Sequence, residues 1–336
     1  MREWFRKHRL LLALIAIPYI ILMVVLTVRV EYVLTAPGGL SIVEKQITFA
    51  DVDTTSEGSF HTVYVMSLRR PSVFQWLLSH IDDGIDSRAI TPIERDEDPV
   101  DRWRSAQAQR SNAWNAAIIL AASSAGLMDE DDWEIHLLVS RIFEYVEPEG
   151  VELLDRIVSV NARTDIRDAI DDALNEHACG TLHTFEALRN GDRVEYEIRS
   201  QMIDDACRFG IGVTDYYHIL DTFDLEYEIS QGFIGGPSGG FMQFLHIYNS
   251  LTSEDISRGL KIAGTGGVTP EGQITRMGGI KQKVIAAHFS GADVMFVPSG
   301  NFAEAEAAFA NLRTEMALVE VSVFADAIDY LERWED

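Results

Sequence analysis

Lys261 to Glu304 reads KIAGTGGVTPEGQITRMGGIKQKVIAAHFSGADVMFVPSGNFAE, and Gly235 to Gly240 before it reads GGPSGG. Within the longer stretch LKIAG and DVMFVP are short strand-like runs, and a helical pattern begins at Ile280. The alternation continues outward. FGIGV from Phe209 and LEYEIS from Leu225 precede it, with a helix after Pro237, and a helix from Phe302, the strand MALVEVSV and a last helix from Phe324 follow. Strands alternating with helices predict an α/β (α+β) domain over 208–336. GGPSGG joins a strand to the helix FMQFLHIYNSL, so Ser238 falls at a helix N-terminus.

That placement has a chemical use. Unpaired backbone N–H groups and the positive end of the helix dipole favour negative charge forming beside the serine, as an oxyanion hole requires. The same pattern also fits an ordinary helix cap or a phosphate cradle, although the Gly-Lys-Ser/Thr that completes a P-loop is missing from this turn. A serine nucleophile needs a base, and a lysine serves only if its pKa falls from about 10.4 toward neutrality. Burial does this, and so does the start of a helix. Lys281 follows Gly278, Gly279 and Ile280 at such a start.

Taken together, GGPSGG and the 261–304 stretch closely resemble the proteolytic domain of Lon proteases. In that family a serine in Gly-Pro-Ser-Ala-Gly pairs with a lysine in Gly-Gly-Leu-Lys-Glu-Lys, read here as the first lysine of the motif. The resemblance implies Ser238 as nucleophile and Lys281, 43 positions later, as base. It also implies Thr265 as the hydroxyl that orients the amine, with Gly236, Pro237 and Gly239 supporting the turn. Gly239 stands where the family has Ala, and Gly267 where it has Glu. Lys283 reads as a solvated surface lysine, and His246 and His288 as core or surface histidines with no acid in register. The expected reaction is acyl transfer by a Ser-Lys dyad. ATP-dependent Lon proteases carry a P-loop module, and no G-x-x-x-x-G-K-[ST] occurs in this sequence, so an ATP-independent serine endopeptidase is predicted.

Upstream, 129–203 is β-rich. IHLLVSRI from Ile135 and DRIVSVN from Asp155 read as strands, Ile166 to Glu176 as a helix, and Asn190-Gly191 as a type I′ hairpin turn. With GVELLDRIVSVNARTDI this segment resembles a PDZ domain. That resemblance implies a peptide adding beside the strand of Ile135, Leu137 and Val139. The preceding Asp129, Glu130, Asp131 and Asp132 would repel a terminal carboxylate, which favours an internal or basic ligand segment. Residues 32–128 form an α/β segment of unassigned fold: a strand at 60–68, a short helix at 71–80, an exposed acidic connection at 82–101 and an Ala-rich helix at 105–125.

The first residues add a membrane expectation. Leu10 to Val28 carries no charge and as a helix rises roughly 28 Å, close to the hydrocarbon thickness. Arg2, Arg6, Lys7 and Arg9 precede it, which puts the tail 1–9 in the cytoplasm. The reading is a single-pass cell-membrane protein with 10–28 in the lipid bilayer and an extracytoplasmic catalytic domain, cleaving exposed peptide or protein segments. The order of anchor, PDZ-like module and Lon-type domain resembles a bacterial family of anchored PDZ-and-Lon serine proteases. A net charge of −25 argues against nucleic-acid partners. Cys179 and Cys207 form no zinc-ligand pattern, so no metal or other cofactor is expected, and whether they pair is left open. A homo-oligomer is compatible with the ring assemblies of Lon relatives. Two rival readings stand beside the protease: a catalytically silent tethered peptide-binding protein, and an anion-binding α/β domain.

Overall fold

The computed structural model describes residues 2–50, 52, 56–91, 94–95, 98–143, 150–203, 206–230, 232 and 234–334. Parts of the expected acidic connection, at 92–93 and 96–97, lie outside the described residues.

Helix α1 (Arg2–Thr27) leads into β1 (Tyr32–Ile42), β2 (Ile47–Phe49), β3 (Ser59–Arg69), α2 (Val73–Leu78), β4 (Asp86–Ala89) and α3 (Pro99–Ser124). Asp98 caps α3 by accepting from the N–H groups of Val100 and Asp101, with Pro99 at its first position. Among the described residues no helix is long and apolar enough to cross a membrane. This corrects the expected span over 10–28 and the single-pass, extracytoplasmic localisation built on it. α1 opens on a basic stretch and carries Pro18 inside it, which removes one backbone donor from its hydrogen-bond ladder.

After α3 the chain builds an antiparallel sheet. Its strands are β5 (Trp133–Ile142), β6 (Arg156–Val160), β7 (Leu182–Arg189), β8 (Asp192–Arg199) and, after the small β9 (Gln201–Ile203) and β10 (Ala206–Arg208) pair, β11 (Ile211–Ile219). The order is β11-β5-β6-β7-β8, with α4 (Ile166–Asn175) packed against it. Ile157, Phe185, Ala169 and Ile198 form its core, and Cys179 and Cys207 are joined by a disulfide. The hairpin at Asn190-Gly191 has positive φ at both positions, as a type I′ turn demands. β5 is an interior strand, paired along its length with β11 and on its other side, at Leu137 and Leu138, with β6. Of the residues expected beside an added peptide, Leu137 and Val139 are buried, and at Leu137 both flanks of β5 carry strands, whereas Ile135 is exposed and pairs only with β11.

The chain returns through β12 (Tyr227–Ile229), which pairs with β2, to α5 (Gly240–Leu251), β13 (Lys261–Gly264), the short β14 (Gly267–Val268) and β15 (Ile274–Thr275) pair, α6 (Ile280–Phe289), β16 (Val294–Pro298), α7 (Ser299–Phe309), β17 (Ala317–Val321) and α8 (Phe324–Glu332). Here β13, β16 and β17 run parallel, and β13 pairs in parallel with β3. The six-stranded sheet is ordered β17-β16-β13-β3-β1-β4. Residues 32–128 are therefore not a separate unit: they supply three strands of the sheet that 261–321 completes, and the 133–219 sheet is inserted between its two halves. The boundaries expected at 129–203 and 208–336 shift with this, because β11 belongs to the inserted sheet.

Along β16, Val294 and Phe296 face α3, α5 and α8, while Met295 and Val297 face α6 and α7. The period of two feeds one core on each face of the sheet. At Gly38 β1 bulges, and a side chain there would meet the Tyr64 backbone oxygen at 2.4 Å.

Candidate active site

The turn at 235–240 leads into α5, whose Phe241 N–H reaches the Gly266 carbonyl just beyond the end of β13. Gly236 has φ +94°, a conformation only glycine adopts without strain, and it turns the chain into Pro237 and Ser238. A side chain on Gly235 would collide with the Cβ of Ala106 at 2.8 Å, so the turn rests directly on α3. There the Gly236 N–H donates to the Ala106 carbonyl (2.9 Å), and Arg110 donates to the Ser230 carbonyl (3.1 Å). Arg110 is buried, and burial holds its guanidinium below its ordinary pKa.

Ser238 is partly buried, and its backbone is clamped. Its carbonyl accepts from the Gly266 N–H (3.0 Å) and the Thr265 hydroxyl (3.2 Å), while the Phe241 N–H donates to the Gly266 carbonyl (3.0 Å). Buried Phe241, Met242, Phe244, Leu245 and Ile247 hold α5 against the sheet. The N–H groups of Ser238 and Gly239 have no backbone acceptor among the described residues and stand at the positive end of α5.

Thr265 is fully buried and connects the serine to a lysine, but that lysine is Lys283. The Lys283 ammonium donates to Thr265 Oγ1 (2.8 Å), whose hydroxyl in turn donates to the Ser238 carbonyl. Lys283 is 3% exposed and forms no ion pair among the described residues, and desolvation lowers its pKa from 10.5 to about 8. Lys281 points elsewhere. Its amine pairs with Asp86 (3.0 Å), and its side chain is 34% exposed. Positions two apart on a helix do not share a face, so only one of the two can enter the site. The expectation of a solvated Lys283 is corrected, and the structure does not bring Lys281 to Ser238 or Thr265.

A signal for Lys283 was present in the sequence. Ile280, Val284 and Ala287 are apolar at helical spacing, and all three are fully buried. Lys283 lies three after Ile280 and four before Ala287, on that inward stripe, whereas Lys281 lies off it. His246 is buried and held down at about 4 by desolvation, which keeps it neutral in the core. At Gly267 a side chain would meet Thr275 Oγ1 at 2.6 Å, so no counterpart of the family's Glu fits there.

The family model of the Lon protease (S16) C-terminal proteolytic domain matches residues 217–332. The chain carries a Lon protease proteolytic domain. Among similar proteins, a Lon protease of Aster yellows witches'-broom phytoplasma is 34% identical over 91 residues, covering 27% of this chain and 11% of that protein. A Lon protease of Desulfosudis oleivorans is 31% identical over 112 residues, covering 33% and 14%. A peroxisomal Lon protease homolog 2 of Pongo abelii is 30% identical over 115 residues, covering 34% and 13%. The chain thus spans between 11% and 14% of these relatives' own length. The matched region contains β13, β16 and β17 of the large sheet, whereas β1, β3 and β4 lie before it. In this chain the Lon-type domain is completed by strands from the other side of the inserted sheet.

Proposed function

We propose that this chain is a serine endopeptidase in which Ser238 is the nucleophile and Lys283, not Lys281, is its base. The observation that carries the proposal is the burial of the Lys283 amine beside Thr265, whose Oγ1 receives it and in turn donates to the Ser238 backbone carbonyl. A lysine with a pKa of about 8 offers an appreciable neutral fraction at physiological pH, and Lys281 is turned toward Asp86 instead. In the proposed reaction neutral Lys283 takes the Ser238 hydroxyl proton as Oγ attacks a peptide carbonyl. The N–H groups of Ser238 and Gly239 receive the oxyanion, and the lysine ammonium passes its proton to the leaving amine. Water then attacks the acyl-enzyme with Lys283 again as base, releasing the carboxylate and restoring the hydroxyl. No step uses a nucleotide, so hydrolysis of unstructured peptides proceeds without ATP.

The test is hydrolysis of a fluorogenic unstructured peptide by the full chain and its variants. Ser238→Ala and Lys283→Met are each expected to lose at least ~1000-fold in kcat, and the double variant no more than either alone, because the two act as one unit. Lys281→Ala is expected to stay within about threefold of wild type. Loss in Lys281→Ala with full activity in Lys283→Met would return the base to Lys281. Equal turnover in wild type and Ser238→Ala would remove the protease reading.

A further inference from the structure

Beside the nucleophile lies a buried side-chain amide that the dyad does not use. Gln243 is on the first turn of α5, where its backbone N–H donates to the Gly239 carbonyl (3.0 Å). The residue is 4% exposed, and its Oε1 is buried with no hydrogen-bond partner among the described residues. Buried amides are ordinarily paired, and leaving one unpaired destabilises the fold. Its neighbours on the helix are Phe241, Met242, Phe244 and Leu245, all buried, so an apolar side chain would pack there without that cost. Helical side chains lean toward the N-terminus, which carries this amide back over Gly239 rather than deeper into the core. Nε2 reaches to 3.2 Å from the place a Cβ on Gly239 would occupy, and Thr62 Cγ2 lies 3.0 Å from the same point. Gly239 therefore leaves the amide undisturbed immediately next to Ser238. An alanine would press on both neighbours.

From this geometry, and resting on the serine-protease reading above, we propose that Gln243 is a further catalytic residue, donating Nε2–H to the substrate's carbonyl oxygen as it becomes the oxyanion. It acts beside the N–H groups of Ser238 and Gly239, and Gly239 is the residue that keeps its path open. The amide is uncharged and packed among buried side chains beside Gly239, where Thr62 is its neighbour. A donor of this kind acts on the transition state more than on ground-state binding.

The experiment uses the full chain with a fluorogenic unstructured peptide and, separately, a peptidyl boronate whose tetrahedral adduct mimics the oxyanion. Gln243→Leu removes the amide, and Gln243→Glu keeps its shape but loses the donor. Both are expected to lower kcat by about 10- to 100-fold with KM within about twofold, and to weaken boronate binding by a similar factor. Gly239→Ala is expected to lower kcat in the wild-type background and to add little to Gln243→Leu, since the two changes act on one group. Unchanged kcat and boronate affinity in both Gln243 variants would overturn the proposal while leaving the dyad intact. So would a Gly239→Ala effect of equal size in both backgrounds. Absence of turnover in the wild type would overturn the dyad reading and this inference with it.

Discussion

A lysine amine held at 3% exposure with one hydroxyl for company is a cost to the folded protein whenever it carries a proton. Its pKa is about 8 in the fold against an ordinary 10.5, so between those values the unfolded chain holds the proton more tightly. Stability therefore rises with pH from about 8 to 10.5, and below about 8 the penalty is constant. Lys283→Met should remove up to about 3 kcal/mol of this penalty, raising Tm at pH 7 while abolishing turnover. Thermal scans should show the gain shrinking toward pH 10.5. In the wild type, kcat/KM should climb through a midpoint near pH 8, where the neutral amine becomes dominant. Thr265→Val takes away the oxygen that receives the ammonium, so its rising limb should move to lower pH while kcat falls about 10- to 100-fold. The turn that seats Ser238 was legible as a strand-to-helix junction, whereas GGPSGG alone fits a helix cap or a phosphate cradle as well as a nucleophile. Counting positions from the serine does not separate Lys281 from Lys283, because separation along a chain carries no facing information. The inward stripe of Ile280, Val284 and Ala287 carries it.

The helix α3 does two jobs at once. At one end Ala106, Gln107 and Arg110 hold the segment that leads to Ser238, with Gln107 donating to the Gly232 carbonyl. One turn on, Asn112 donates to the Asp215 carbonyl (2.8 Å) and accepts from the Tyr217 N–H (2.7 Å), while Asn115 donates to the Tyr217 carbonyl (2.8 Å). These amides occupy the outer edge of β11, the place where another strand would otherwise pair. Asn112→Ala should cost about 1–3 kcal/mol in urea unfolding, because it orphans a backbone donor and acceptor together. Its amide hydrogen exchange should rise first at Tyr217. The disulfide between Cys179 and Cys207 closes a separation of 28 residues within the inserted sheet. Replacing both with Ser should lower that sheet's stability by about 3 kcal/mol, read from the urea midpoint. A helix over 105–125 was evident from its alanines, but the part played by Asn112 and Asn115 was not, since nothing local to them reveals a strand a hundred positions away.

Taken whole, the molecule is one mixed sheet whose two halves are separated by a second sheet. Every contact between β3 and β13 spans roughly two hundred residues, whereas the inserted sheet closes on itself within 133–219. A fragment of residues 129–222 should therefore give a dispersed amide NMR spectrum on its own, and a fragment of 32–128 should not. A collapsed spectrum from the first fragment would mean that the inserted sheet depends on α3. The α/β part after Phe209 was readable from local pattern, because glycine-rich turns precede the helices at Gly240 and Ile280 and the strands β16 and β17 each lead directly into a helix. The contribution of 32–128 was not, since β1 and β3 find their partners by long-range pairing that no short window contains. The same arrangement sets an order of events while the chain is being made. Ser238 leaves the ribosome before Thr265, Lys283 and the strands that seat them, so under the proposed mechanism a nascent chain presents its nucleophile without its base. Peptide-cutting power then arrives only after Lys283 has emerged and packed, and a copy made only as far as Ser238 cannot digest its neighbours or itself.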